Sequence, residues 1–145
     1  MPSRTSYSLD EINSARFALA AQLTAYATMA GEISGDGTDD TAQAALDDFE
    51  PLFFNNLVLV LDRYFVHRLR SGTGTDPLTE VDLIVDSLMH NNAVLRATGT
   101  VSYLPARSVV KLEVGDDIRL TAAEFDDLAS AFFTELEARF LAVVD

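Results

Sequence analysis

The chain has 145 residues, no Cys, and a formal net charge of −13 at pH 7 from 23 Asp and Glu against 10 Lys and Arg. A chain of this length fits one domain and buries roughly 70% of its unfolded surface, so it needs no disulfide or metal to stay folded; without Cys, disulfides, thiolate metal sites and a cysteine nucleophile are excluded. The acidic balance excludes nucleic acid as a partner, because a polyanion needs a basic footprint, and argues against anionic membranes.

The opening residues MPSRTSYSLDEI lack the basic-then-apolar pattern of a secretion signal. The longest uncharged apolar run, LVLVL, is far below the roughly 20 residues of a membrane span. The expectation is a soluble cytoplasmic protein. Ser8-Leu-Asp-Glu11 reads as a capping box and opens a first helix to about Met29, with Ile12, Phe17, Leu19, Leu23 and Tyr26 among many Ala. GEISGDGTDD breaks it. Residues 32–48 are expected to be a flexible acidic loop with a short helix in TAQAALDDFE, and Pro51 to start the next helix.

That next helix carries FFNNLVLVLDRYFVHRLR, residues 53–70. At a hundred degrees per residue, Phe53, Phe54, Leu57, Val58, Leu61, Tyr64, Phe65 and Leu69 fall on one arc. Asn55, Asn56, Asp62, Arg63, His67 and Arg70 fall opposite, with Leu59 and Val66 among them. Asp76 caps and Pro77 starts a third helix, about Leu78 to Asn91, with Val81, Ile84, Val85, Leu88 and Met89 as its buried stripe. The period then changes to two. Val110, Leu112 and Val114, followed by Gly115-Asp116-Asp117 and then Ile118 and Leu120, predict a β-hairpin with a three-residue loop; residues 99–104 are a candidate third strand. Thr121-Ala-Ala-Glu124 is a second capping box, opening a last helix with the stripe Phe125, Leu128, Ala129, Phe132, Leu136, Phe140 and Val143. The predicted fold is mainly α (α+β): a single domain over residues 1–145, with four or five helices and one β-hairpin before the C-terminal helix.

Three polar constellations are candidates for chemistry. Asp82, Asp86 and His90 lie one turn apart on the third helix, a spacing that suits a divalent metal if another helix adds a ligand, and otherwise a solvated face. Arg63, His67 and Arg70, with Asp62 and Arg68 nearby, form an anion-binding candidate; the plainer reading is that these Arg pair with the surplus carboxylates. Asn55 and Asn56 sit in an apolar helix that disfavours Asn, either to bond the backbone of the GEISGDG loop or to line a small-molecule pocket. DGTDDTAQAALD fails the calcium-loop pattern, Gly72-Thr-Gly74-Thr lacks the phosphate-loop Lys, and no Gly-x-Ser-x-Gly elbow is present. No catalytic triad and no cofactor are expected.

The combination of FFNNLVLVLDRYFVHR, PLTEVDLIVDSL and SVVKLEVGDDIRLTAAEF, spanning about residues 50–140, resembles a family of small, mostly helical bacterial proteins of uncharacterised function. The resemblance implies no activity and carries no catalytic residue. The leading expectation is a non-enzymatic interaction or accessory protein, a homodimer with a possible further protein partner, because Phe133 and Leu141 widen the last apolar stripe and Leu59 and Val66 sit on a wet face. The alternative is a helical domain that binds a small anion or a divalent metal. Whether the polar arcs of the second and third helices face one another across a cavity discriminates the two.

Overall fold

The computed structural model describes residues 2–35, 37, 39–70, 74–97 and 102–142. Four α-helices follow in order: α1 (Leu9–Ile33), α2 (Asp40–Tyr64), α3 (Pro77–His90) and α4 (Ala122–Phe140), with a 3₁₀ turn at Pro105–Arg107. The caps explain the starts. Ser8 accepts from the Glu11 amide at 3.1 Å, and Asp76 accepts from the Thr79 amide at 2.9 Å just before Pro77. Thr121 and Glu124 make both halves of a capping box. At Ser8 only half the box forms, because the Glu11 carboxylate pairs with Arg4 at 2.8 Å.

α2 corrects the expected five-helix arrangement. It begins at its cap Asp39 and runs 25 residues straight through Pro51, so the short helix and the Pro51 start are one element. A proline inside a helix loses one amide bond and crowds the turn before it. Here aromatic rings on both sides of the proline hold the turns in line against α1. Tyr26 stacks on Phe49 and Phe53, at 6.4 and 5.9 Å between centroids, and meets Phe54 edge-on at 4.8 Å. Only Ser34–Asp39 separates α1 from α2.

α2 and α4 each pack against all three other helices, while α1 and α3 do not touch, so the core lies between α2 and α4. Phe54, Leu57, Val58, Leu61 and Phe65 meet Phe125, Leu128, Phe132 and Leu136 there, with Ile12 and Leu19 from α1 and Val81 and Ile84 from α3 closing the sides. Phe133, expected as surplus apolar surface, is buried inside the chain against Phe65 and beneath the Arg16 guanidinium. Leu59 and Val66 are half-buried. On α3 the buried face is wider and turned: Leu78, Thr79, Glu80, Leu83 and Ser87 are inside, while Met89 is 59% exposed. The N-terminal segment straps the bundle. Arg4 donates its amide to the His67 carbonyl and accepts from Leu69, and Tyr7 does the same between Phe140 and Ala142.

The β-hairpin is not formed. Among the described residues there are only isolated bridges, and the one in this region joins Val94 to Asp117. The half that was to pair with Val110–Val114 instead bonds to the end of α3: Leu95 donates to Asp116, Gly115 to Leu95, and Ile118 to Ala93. The first half finds its partners in side chains. Glu80 accepts the amides of Val109 and Val110 at 2.7 and 3.0 Å. Lys111 has φ +64°, which breaks the extended run. Of the candidate third strand, residues 99–101 lie outside the described residues, and Leu104 leads into the 3₁₀ turn.

Candidate functional site

The densest polar cluster lies where α2 ends. Phe65 leaves helical geometry at φ −127°, ψ 32°, and caps the helix. The chain turns through residues 65–67, and the Arg68 amide bonds back to the Phe65 carbonyl at 3.1 Å. This turn carries Arg68 inward, where only 1% of its side chain is exposed. Its guanidinium reaches Asp62 on α2 at 3.0 Å, the Phe65 carbonyl at 3.0 Å, and Asp82 on α3. It also lies 5.1 Å from the centre of the Phe132 ring on α4. Arg70 completes the arrangement from outside, at 3.4 Å from Asp62 and 3.2 Å from Asp82.

One oxygen of each aspartate, Oδ1, therefore bridges both arginines, and the four groups form a closed ring of alternating charge. Two guanidiniums and two carboxylates sum to zero, so the ring offers neither an anion nor a cation a net field. Burial pushes the Asp82 carboxyl above its ordinary value, against the pull of Arg68 and Arg70. Beside the ring is a cavity of about 20 Å³, bordered by Arg68, Arg70, Thr79, Asp82 and Arg139. That is room for about one water, far below the roughly 300 Å³ at which ligand pockets begin. Of the polar arcs of α2 and α3, Asp62 and Asp82 face one another, and Arg68 and Arg70 fill the space between them.

The remaining predicted site residues separate. Asp86 pairs with Arg96 at 3.2 Å, and His90 is exposed at the end of α3. With Asp82 held by arginines, the three do not converge, and no group of three or more acidic or His side chains able to hold a metal occurs among the described residues. Arg63 and His67 are exposed on the outer side, away from Arg70, whose fork turns to the aspartates. Asn56 is exposed. Asn55 bonds not the GEISGDG loop but the segment before α4: it donates to the Ile118 carbonyl at 2.7 Å and accepts from the Leu120 amide at 3.1 Å, so its amide stands in for a neighbouring strand.

Two residues with buried polar roles were missed in the sequence. The sequence places Arg68 only near the polar face of a continuous helix; the turn after Tyr64 is what carries it inside. Glu80 is 2% exposed, with no arginine or lysine paired to it among the described residues. Burial pushes its carboxyl above the ordinary value, and the two backbone donors oppose that. Its signal in the sequence was a carboxylate beside Val81, within an apolar run.

Besides a groove of about 410 Å³ bordered by Arg4, Tyr7, Asp10, Glu11, Ser14 and Tyr64, the surface outside these clusters has two further grooves of useful size. One of about 280 Å³ runs between α1 and α4 and is bordered by Arg16, Asp126 and Ser130 among apolar residues. The other, about 310 Å³, lies between the end of α1 and the start of α2, and its walls are Met29, Ile33, Ala42, Ala45, Leu46 and Phe49. No helix among the described residues is long and apolar enough to cross a membrane. No protein-family model, curated protein or solved structure matches the chain.

Proposed function

We propose that the protein is a non-enzymatic interaction or accessory protein of the cytoplasm, which receives a protein partner at the α1–α2 end of its bundle. One contrast carries this reading. Most buried polar groups are spent on the fold: Arg68 on Asp62 and Asp82, Asn55 on residues 118 and 120, Glu80 on residues 109 and 110, while the Tyr7 hydroxyl and Arg68 Nε are the buried side-chain atoms without a partner among the described residues. The open groove of Met29, Leu46 and Phe49 is instead walled entirely by apolar side chains, and Leu52, one turn further along α2, is 70% exposed. Exposed apolar surface in this arrangement marks a place for another chain. A chain without Cys loses nothing in a reducing compartment.

The test places a photo-crosslinking phenylalanine analogue at Leu52 in the intact protein, in its native cell. A reproducible adduct with one protein species is expected. Absence of any protein adduct, together with a metal or organic ligand retained in native mass spectrometry of freshly purified chain, would overturn the reading in favour of small-ligand binding.

A further inference from the structure

We infer that the groove at the α1–α2 end takes a basic amphipathic helix of a partner protein; this rests on the interaction reading above and adds the chemistry of the partner. The argument begins with charge. No Lys, Arg or His lies between Arg16 and Arg63, so every charged side chain on the last part of α1 and most of α2 is acidic. Glu32, Asp39, Asp40, Asp47 and Asp48 are all exposed there, and none has an ion-pair partner among the described residues. The chain's own cations are taken up elsewhere, as in the pairs of Arg4 with Glu11, Arg16 with Glu137, and Arg139 with Asp76. An apolar groove at an end of the bundle whose exposed charges are all acidic selects an occupant with an apolar stripe and basic flanks, and speeds its arrival.

The shape suits a helix. Ala42, Ala45, Leu46 and Phe49 follow i, i+3, i+4, i+7 along α2, and Leu52 continues the row. Ten residues of helix make a row about 15 Å long, which matches the spacing of i, i+4 and i+7 anchors on an incoming helix. Ala42 and Ala45 give the row a low floor for large side chains. Phe49, 42% exposed and stacked on Tyr26 and Phe53, offers a ring face to a Lys or Arg at the groove's edge. A second copy of this chain is a poor occupant. A two-fold contact through this groove sets the same acidic end against itself.

The test uses the full chain and a synthetic helix of about 18 residues made of Leu and Lys, with a counterpart in which Glu replaces Lys. Backbone amide shifts in two-dimensional NMR are expected to map the Lys peptide to Met29, Ala42, Ala45 and Phe49. The Glu peptide is expected not to bind. Ala45→Gln with Leu52→Ser, and separately Asp47→Asn with Asp48→Asn, should each weaken binding about tenfold, since a filled groove loses apolar contact and a less acidic end loses attraction. All four positions are exposed, so neither pair of substitutions is expected to lower the melting temperature, which is checked. No saturable binding, or shifts confined to another face, would overturn the inference. Equal binding of the Glu peptide would overturn the basic partner and leave the interaction reading intact. So would a chain dimer that Leu52→Ser dissociates. The interaction reading itself fails only in the crosslinking experiment.

Discussion

Asn55 and Asn56 are adjacent on α2, yet only Asn55 has backbone to bond. Its amide satisfies one carbonyl and one amide of the segment before α4. Removing it leaves both without a partner, at about 1–3 kcal/mol for a buried orphan group. Asn55→Ala is therefore expected to lower unfolding free energy by about 2 kcal/mol, and Asn56→Ala to change it by less than about 0.5. Urea denaturation of the two variants checks this; equal effects would refute the clamp. Arg68 carries a larger share. Truncating it leaves Asp62 and Asp82 with the half-exposed Arg70 as their one remaining cationic partner among the described residues, and breaking a buried pair costs about 3–5 kcal/mol. Arg68→Ala is expected to fall in that range. Arg68→Lys should recover less than half of it, since an ammonium cannot fork between two carboxylates. Full recovery by Lys would show that charge alone suffices. These two roles were unevenly legible: the oddity of Asn in an apolar helix was visible, its partner at residues 118–120 was not.

At the scale of elements, α2 passes through Pro51 and the hairpin does not form, and in both cases contacts made by other helices outweigh a local signal. Proline costs about 3 kcal/mol in a helix interior relative to alanine, while the buried ring gains about 1 kcal/mol of transfer free energy over a methyl group. Pro51→Ala is expected to raise stability by about 1–2 kcal/mol, read by thermal unfolding. A loss would mean that ring packing against α1 dominates. The alternation at Val110–Val114 was real, but Val114 is 58% exposed and the strand edge is bonded by Glu80 instead. This substitution makes the region pH-sensitive. Glu80 holds its proton in the folded protein above its ordinary value of 4.5, where the unfolded chain has released it. The folded state then binds more protons, so its stability falls as pH rises from 4.5 through the raised folded value. Relative to Glu80→Gln, which has no such proton, the wild-type chain is expected to lose stability across that window. A rising difference over the same titration, followed by urea melts, would contradict it.

Across the whole molecule the excess charge is unevenly spread. The acidic α1–α2 end repels itself, and its carboxylates are exposed, so dissolved salt screens them; the buried ring around Arg68 is screened much less. Raising NaCl from ~20 to ~200 mM is expected to increase the melting temperature by a few degrees. A decrease would mean that surface ion pairs contribute more than the self-repulsion costs.

Composition and periodicity alone determined the helical class, both ends of α3, the start of α4 and most of the core, because caps and apolar stripes act within one or two turns of chain; the predicted stripe runs on to Val143, which lies outside the described residues, while α4 ends at Phe140. Ser8, Asp76 and Thr121 cap as their local sequence requires. Tertiary structure alone decided the rest. Whether Pro51 ends a helix depended on Tyr26, which lies 25 residues earlier. Whether residues 110–120 form a hairpin depended on Glu80 and Asn55, which satisfy the same backbone groups from other helices. Whether Asp82 was free for a metal depended on a turn that folds Arg68 inward. In each case the deciding contacts join residues distant in sequence, and several of them together outweigh the local preference they override.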